Sequence, residues 1–88
     1  MTIEAKVRPH VEMAVRDIEN ANDDGEIWYA VFTLAAKLKY HAEGRDIDRL
    51  SRKETDELIF HWLDGNDARE ADRYVNLAID YIIEVIEE

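Results

Sequence analysis

The sequence predicts an all-α protein, a small antiparallel four-helix bundle with a short third helix, and three observations lead to it. Apolar residues recur at helical spacing instead of alternating by twos as a half-buried strand would require. Only three Gly and one Pro interrupt the 88 residues. Three runs are headed by the spacing of a capping box: Asp23 with Glu26, Ser51 with Glu54, and Asp67 with Glu70. In that motif each side chain satisfies a backbone N–H that the first helical turn leaves free.

The first helix carries Ile3, Val7, Val11, Ala14, Val15, Ile18 and Ala21 on one stripe. Pro9 is tolerated only near a helix start, so regular helix is expected to begin between Ala5 and Pro9, with Ile3 in a looser lead-in. Asn22-Asp23-Asp24-Gly25 breaks the chain. In the second helix only Thr33 is polar between Ile27 and Ala36, so this helix belongs at the centre, touched on several sides. Gly44 is placed to end it in a left-handed conformation. Arg45 to Leu50 form a charged connection, and the short third helix follows, its apolar residues Leu58, Ile59, Phe60, Trp62 and Leu63 crowding the second half before Gly65. The last helix runs from about Ala68 to the C-terminus. Its apolar face holds Ala71, Tyr74, Val75, Ala78, Tyr81, Ile82, Val85 and Ile86, and Leu77, Ile79 and Ile83 widen that face beyond one seam.

Residues 1–88 suffice for one core and no second one. The absence of cysteine removes disulfides, thiolate metal sites and cysteine nucleophiles, and a reducing cytoplasm is the expected setting. The N-terminal MTIEAKVRPHVE puts charges where a signal peptide needs apolar residues, and no run approaches a membrane span.

Twenty-one Asp and Glu against eleven Lys and Arg give a net charge of −10, which opposes direct binding to nucleic acid or anionic lipid and favours a basic partner. The acidity is uneven. Residues 17–36 hold Asp17, Glu19, Asp23, Asp24 and Glu26 with no basic residue, and residues 74–88 hold Asp80, Glu84, Glu87 and Glu88 with none. In an up-and-down bundle the third-to-fourth connection joins the first turn at one pole, bringing Asp64, Asp67, Glu70 and Asp72 to the acids of residues 17–26. Capping accounts for Asp23, Glu26, Asp67 and Glu70 without a partner. It does not account for Asp17, Glu19 or Asp72. The residues expected to meet a partner are therefore Asp17, Glu19, Asp23, Asp24, Asp64, Asp67 and Asp72.

No catalytic, cofactor-binding or metal-binding residue is expected, and the chain does not read as an enzyme. His10, His41 and His61 have no four-residue spacing, and Glu57, His61 and Asp64 share a face of the third helix only as a weak surface group. Ser51, the only serine, is a cap. Trp28, Tyr29, Phe32, Trp62, Tyr74 and Tyr81 fall on stripes that read as core and not as base-stacking platforms.

In size, charge and helical class the chain resembles bacteriocin immunity proteins, phage-encoded nucleic-acid mimics and anti-CRISPR proteins. That resemblance implies an inhibitor that masks a basic surface of a nuclease, toxin or defence complex. A homodimeric adaptor that associates through Ile79 and Ile83 of the last helix is the alternative. A third reading follows from Glu54 with Glu57 and Glu84 with Glu87, whose spacing resembles the paired carboxylates that hold magnesium in all-helical nucleotide pyrophosphatases. The chain departs from that family, since Glu54 serves a cap, Glu87 stands next to the last residue and no basic cluster completes a triphosphate site.

Overall fold

Pro9 sets the start of the first helix, as its fixed φ and missing N–H require. The computed structural model describes residues 2–88, and in it α1 spans Arg8–Glu19 behind a turn in which Val7 N–H donates to Glu4 O at 3.0 Å. Then follow α2 (Asp24–Ala42), a 3-10 turn (Ile47–Arg49), α3 (Arg52–Leu63) and α4 (Ala68–Ile86), with no strand among the described residues. The all-α four-helix bundle is present, and α3 is short at 12 residues, a length α1 shares.

The three capping signals have three outcomes. Ser51 and Glu54 form the full reciprocal box, with Glu54 N–H donating to Ser51 Oγ at 3.2 Å and Ser51 N–H to Glu54 Oε1 at 3.3 Å. Asp23 accepts from Glu26 N–H at 2.9 Å, but the Glu26 carboxylate reaches one residue further back and accepts from Asn22 N–H at 2.8 Å. Asp67 makes no cap bond at all. Its backbone is left-handed, φ 51°, following Gly65 at φ 92°, whereas a capping side chain reaches its N–H only from an extended backbone. The Asp67 carboxylate lies 2.7 Å from His61 Nε2 and Glu70 takes the Trp62 indole N–H at 3.1 Å, so both acids of the expected box tie α4 to α3.

The apolar stripes meet around α2, which packs against α1, α3, α4 and the 3-10 turn. Val11, Ala35, Ala36 and Ala78 are fully buried, and these small side chains let helix backbones approach closely. Leu34 is buried at the centre, where truncation to Ala costs about 2–5 kcal/mol. The wide arc of α4 is used within the chain. Ala78 and Ile82 are buried, and Tyr74, Val75, Leu77, Ile79, Tyr81 and Val85 pack partly against the core formed with α1 and α2.

α1 and α2 form an antiparallel hairpin, pinned at its open end where His41 Nε2 lies 2.6 Å from Glu4 Oε2. α4 is held at the same end twice. Lys39, in the last turn of α2, lies 3.8 Å from Glu70, and Arg8 donates to Glu88. The connection from Glu43 to Ser51 buries Ile47 and delivers the start of α3 part-way back along α2. There Ser51, Arg52 and Thr55 line one groove with Met13 and Asp17 of α1, while Trp62 at the other end of α3 reaches Glu70 of α4. α3 therefore lies over α2 from its α1 edge to its α4 edge.

Candidate partner-binding surface

The closed end of the α1–α2 hairpin is built by one break in the sequence. Asn20 ends α1, Asp23 caps α2, and the acids on either side are left at the surface. Asp23 and Glu26 are occupied by backbone N–H groups. Asp24 stands in the first turn of α2, where the helix dipole favours it. Asp17 and Glu19 stand in the last turn of α1, where the same dipole opposes them. Among the described residues neither makes an ion pair, and Asp17 reaches Lys37 and Arg52 only through longer-range attraction.

Elsewhere the chain pairs its charges. Lys6 lies 2.9 Å from Asp48 and 3.5 Å from Asp46, Lys39 lies 3.1 Å from Glu43, and Arg45 donates to Glu54. These bonds hold the Asp48 carboxyl below its ordinary value, through Lys6 first and His10 second, and the Glu54 carboxyl likewise, through Arg45 and then the Ser51 N–H. His10 is buried, with Nε2 2.7 Å from Asp48. Close ion pairs thus concentrate at the open end of the hairpin, while the acids of the closed end have Arg16, Lys37 and Arg52 near them without a close ion pair among the described residues.

The seven expected partner residues do not form one field. Glu70 is tied to Lys39, and about 24 Å of helix axis separates Lys39 from the Asp23 cap, so the start of α4 sits towards the far end of α2. The expected meeting of the two connections at one pole does not occur, because α3 lies over α2 and leads the chain back to the open end. Asp17, Glu19, Asp23 and Asp24 stay together at the hairpin turn. Asp67 is engaged by His61, Asp72 lies exposed on α4, and Asp64 follows the last turn of α3, one turn beyond Phe60.

Beside the hairpin turn a groove of about 740 Å3 opens between α1, α2 and the start of α3. Asp17, Asp23 and Glu26 line one side, Met13, Ala30 and Leu50 supply apolar surface, and Lys37 and Arg52 stand opposite. Arg52 Nε donates to Tyr29 Oη at 3.1 Å, and the Tyr29 hydroxyl donates to Asp56. Lys37 is half-buried with only the Met13 sulfur, 3.9 Å away, as a contact for its ammonium, and burial pushes its pKa down.

The core assignment of Trp28 requires correction. Trp28 is 51% exposed, because both ends of α4 are anchored at the open end of the hairpin and leave the first turns of α2 uncovered on that flank. Phe60 and Leu63 are 62% and 60% exposed on α3. Sequence reasoning missed these three as surface residues. For Phe60 and Leu63 a signal was present: the buried stripe of α3 is Thr55, Leu58, Ile59 and Trp62, and both residues fall off it.

The remaining chemical readings find little support in the geometry. His61 turns to Asp67 instead of Glu57 and Asp64. Glu54 is taken by Ser51 and Arg45. No three His, Asp or Glu side chains are grouped as a metal would need among the described residues, and no described helix is long and apolar enough to cross a membrane. No protein family, curated protein or solved structure matches this chain, so its own geometry is the whole basis for a functional reading.

Proposed function

We propose that this chain is an acidic helical inhibitor, a neutralising partner that masks a basic, nucleic-acid-handling surface of another protein. One observation carries the reading: Asp17 and Glu19 are left without ion pairs in the last turn of α1, where the helix dipole opposes them, while the close ion pairs of Lys and Arg lie at the other end. Capping explains Asp23 and Glu26, and the α2 dipole favours Asp24; a basic partner explains Asp17 and Glu19. The groove beside them suits a lysine or arginine of that partner, whose stem would rest on Met13 and Leu50 and whose head would meet Asp17 and Asp23. The absence of cysteine fits work in a reducing cytoplasm.

The test is recovery of the tagged chain with its complexes at low and at high salt, followed by association kinetics with the protein recovered. Salt-sensitive recovery of a basic nucleic-acid-handling protein is expected, and the triple variant Asp17→Lys, Glu19→Lys, Asp24→Lys is expected to slow association by about tenfold or more at low salt. An unchanged on-rate would remove the proposal.

A homodimeric adaptor is the second reading, favoured by Ile83 and Ile86, which remain 47% and 58% exposed on α4. It requires a dimer by sedimentation at micromolar concentration, and a monomer there counts against it.

A further inference from the structure

Trp28 is exposed on α2, and Phe60 and Leu63 are exposed on α3. Tyr29 donates to Asp56, which fixes the side of α3 that faces the first half of α2. Phe60 and Leu63 follow Asp56 by one and two turns on that same side, since residues three and four apart on a helix are neighbours. On α2, Phe32 lies one turn beyond Tyr29, and its ring centroid is 6.4 Å from that of Trp28. From this placement we infer that Trp28, Phe32, Phe60 and Leu63 form a single docking patch in the corner where α3 lies over α2, and that its occupant is an apolar side chain projecting from a basic protein surface. The inference rests on the masking function proposed above and names the anchor of that interface.

Charge selects the occupant. Asp24 precedes Trp28 by one turn, Glu57 precedes Phe60 by one turn, and Asp64 follows Phe60 by one turn, so carboxylates edge the patch on both helices. Asp24, Glu57 and Asp64 make no ion pair among the described residues. Two copies of the chain meeting here would set these acids against each other. A partner that carries lysine or arginine around an apolar residue meets them with opposite charge, and its guanidinium groups can also stack on the Trp28 indole.

Area selects in the same direction. Trp28, Phe60 and Leu63, half to two-thirds exposed, with the partly buried Phe32 beside Trp28, present roughly 300–400 Å2 of apolar surface, which exceeds ordinary scattered exposure. A stable interface needs about 800 Å2 on each side. The patch can supply the dry centre and the acids must supply the rim, an arrangement that is attractive only towards a basic partner.

The experiment uses two synthetic helical peptides of equal length and equal positive charge. One carries lysine and arginine on a glutamine and alanine background, and the other adds a leucine stripe between the basic residues. Trp28 reports binding, since the other tryptophan, Trp62, is buried with its N–H given to Glu70. The leucine-bearing peptide is expected to bind about tenfold tighter at ~0.15 M salt and to shift tryptophan emission to the blue. The double variant Phe60→Ser, Leu63→Ser, both exposed and so compatible with the fold, is expected to erase the difference between peptides while leaving the affinity of the plain basic peptide unchanged. Equal affinities with no blue shift would overturn the patch and leave the masking function standing. Failure of both peptides to bind at low salt would overturn the masking function and the patch with it. A blue shift that grows with the protein's own concentration, together with a dimer in sedimentation, would overturn the inference in favour of a second copy.

Discussion

Tyr29 and Asp56 form the bond that holds α3 in place over α2: the tyrosine hydroxyl donates to the carboxylate and accepts from Arg52 Nε at 3.1 Å. α3 has no comparably extensive contact with α1 or α4, so this bond, the Tyr40 hydroxyl donated to Glu54 O at 3.2 Å and the apolar stripe beneath them dock the helix on α2. Tyr29→Phe removes one donor and leaves the ring. The expected loss is about 1–2 kcal/mol, or several degrees of Tm, read by thermal denaturation. An unchanged Tm would show that the bond does not fix α3.

The caps of α3 and α4 predict opposite sensitivities. Ser51→Ala removes the side-chain half of a formed capping box, leaving the backbone N–H to Glu54, and should cost about 1 kcal/mol. Asp67→Asn should stay within about 0.5 kcal/mol of the parent, since asparagine tolerates the left-handed backbone and still accepts from His61. Chemical denaturation of the two variants side by side checks the pair, and a costly Asp67→Asn would mean that the carboxylate charge matters more than its geometry shows.

Residues kept for binding are often placed against local stability, and Asp17 and Glu19 fit that description. Replacing them as Asp17→Asn and Glu19→Gln relieves repulsion by the C-terminal dipole of α1 and by the neighbouring acids. The Tm should rise by a few degrees, more at low salt than at high salt, while affinity for the basic partner falls. A fall in Tm would mean that these acids are structural.

Acid sensitivity follows from Asp48 and Glu54. Both carboxyls are held below their ordinary values in the folded protein, so around pH 4 the unfolded chain binds more protons than the folded one. Their contribution is complete above the ordinary carboxylate range and is lost as pH falls through it and on through the lowered values. Asp48→Asn and Glu54→Gln should therefore be less stable than the parent at pH 7, with the gap closing as pH falls through and below the ordinary carboxylate range in a Tm profile against pH. Glutamine preserves the cap acceptor on α3, which isolates the effect of charge. A gap that stays constant with pH would show that the ion pairs with Arg45 and Lys6 contribute nothing.

The helices were legible because apolar spacing and burial share one cause. The stripe Val7, Val11, Ala14 and Val15 is buried as read, and Gly44 adopts φ 85° as the end of α2 requires. What was not legible is where α3 starts. The buried Ile47 in a connection that looks merely charged takes up chain and sets α3 back along α2, and that single placement separates Asp67 and Asp72 from Asp17. Trp28 was misplaced for the same reason: a local pattern marks a residue as apolar but does not say whether a neighbouring helix extends far enough to cover it.

Segregated ion pairing also gives the molecule a direction. One end holds most of the close ion pairs, and the other presents carboxylates with only longer-range attraction to cations. Such a particle carries a permanent dipole moment, so the field of a basic surface exerts a torque on it before any atoms touch. For the basic partner proposed above, that torque would turn the hairpin end towards it during approach and shorten the rotational search. Under the masking function proposed above, the speed of encounter with a cationic surface would depend on which end of the hairpin keeps its counter-ions.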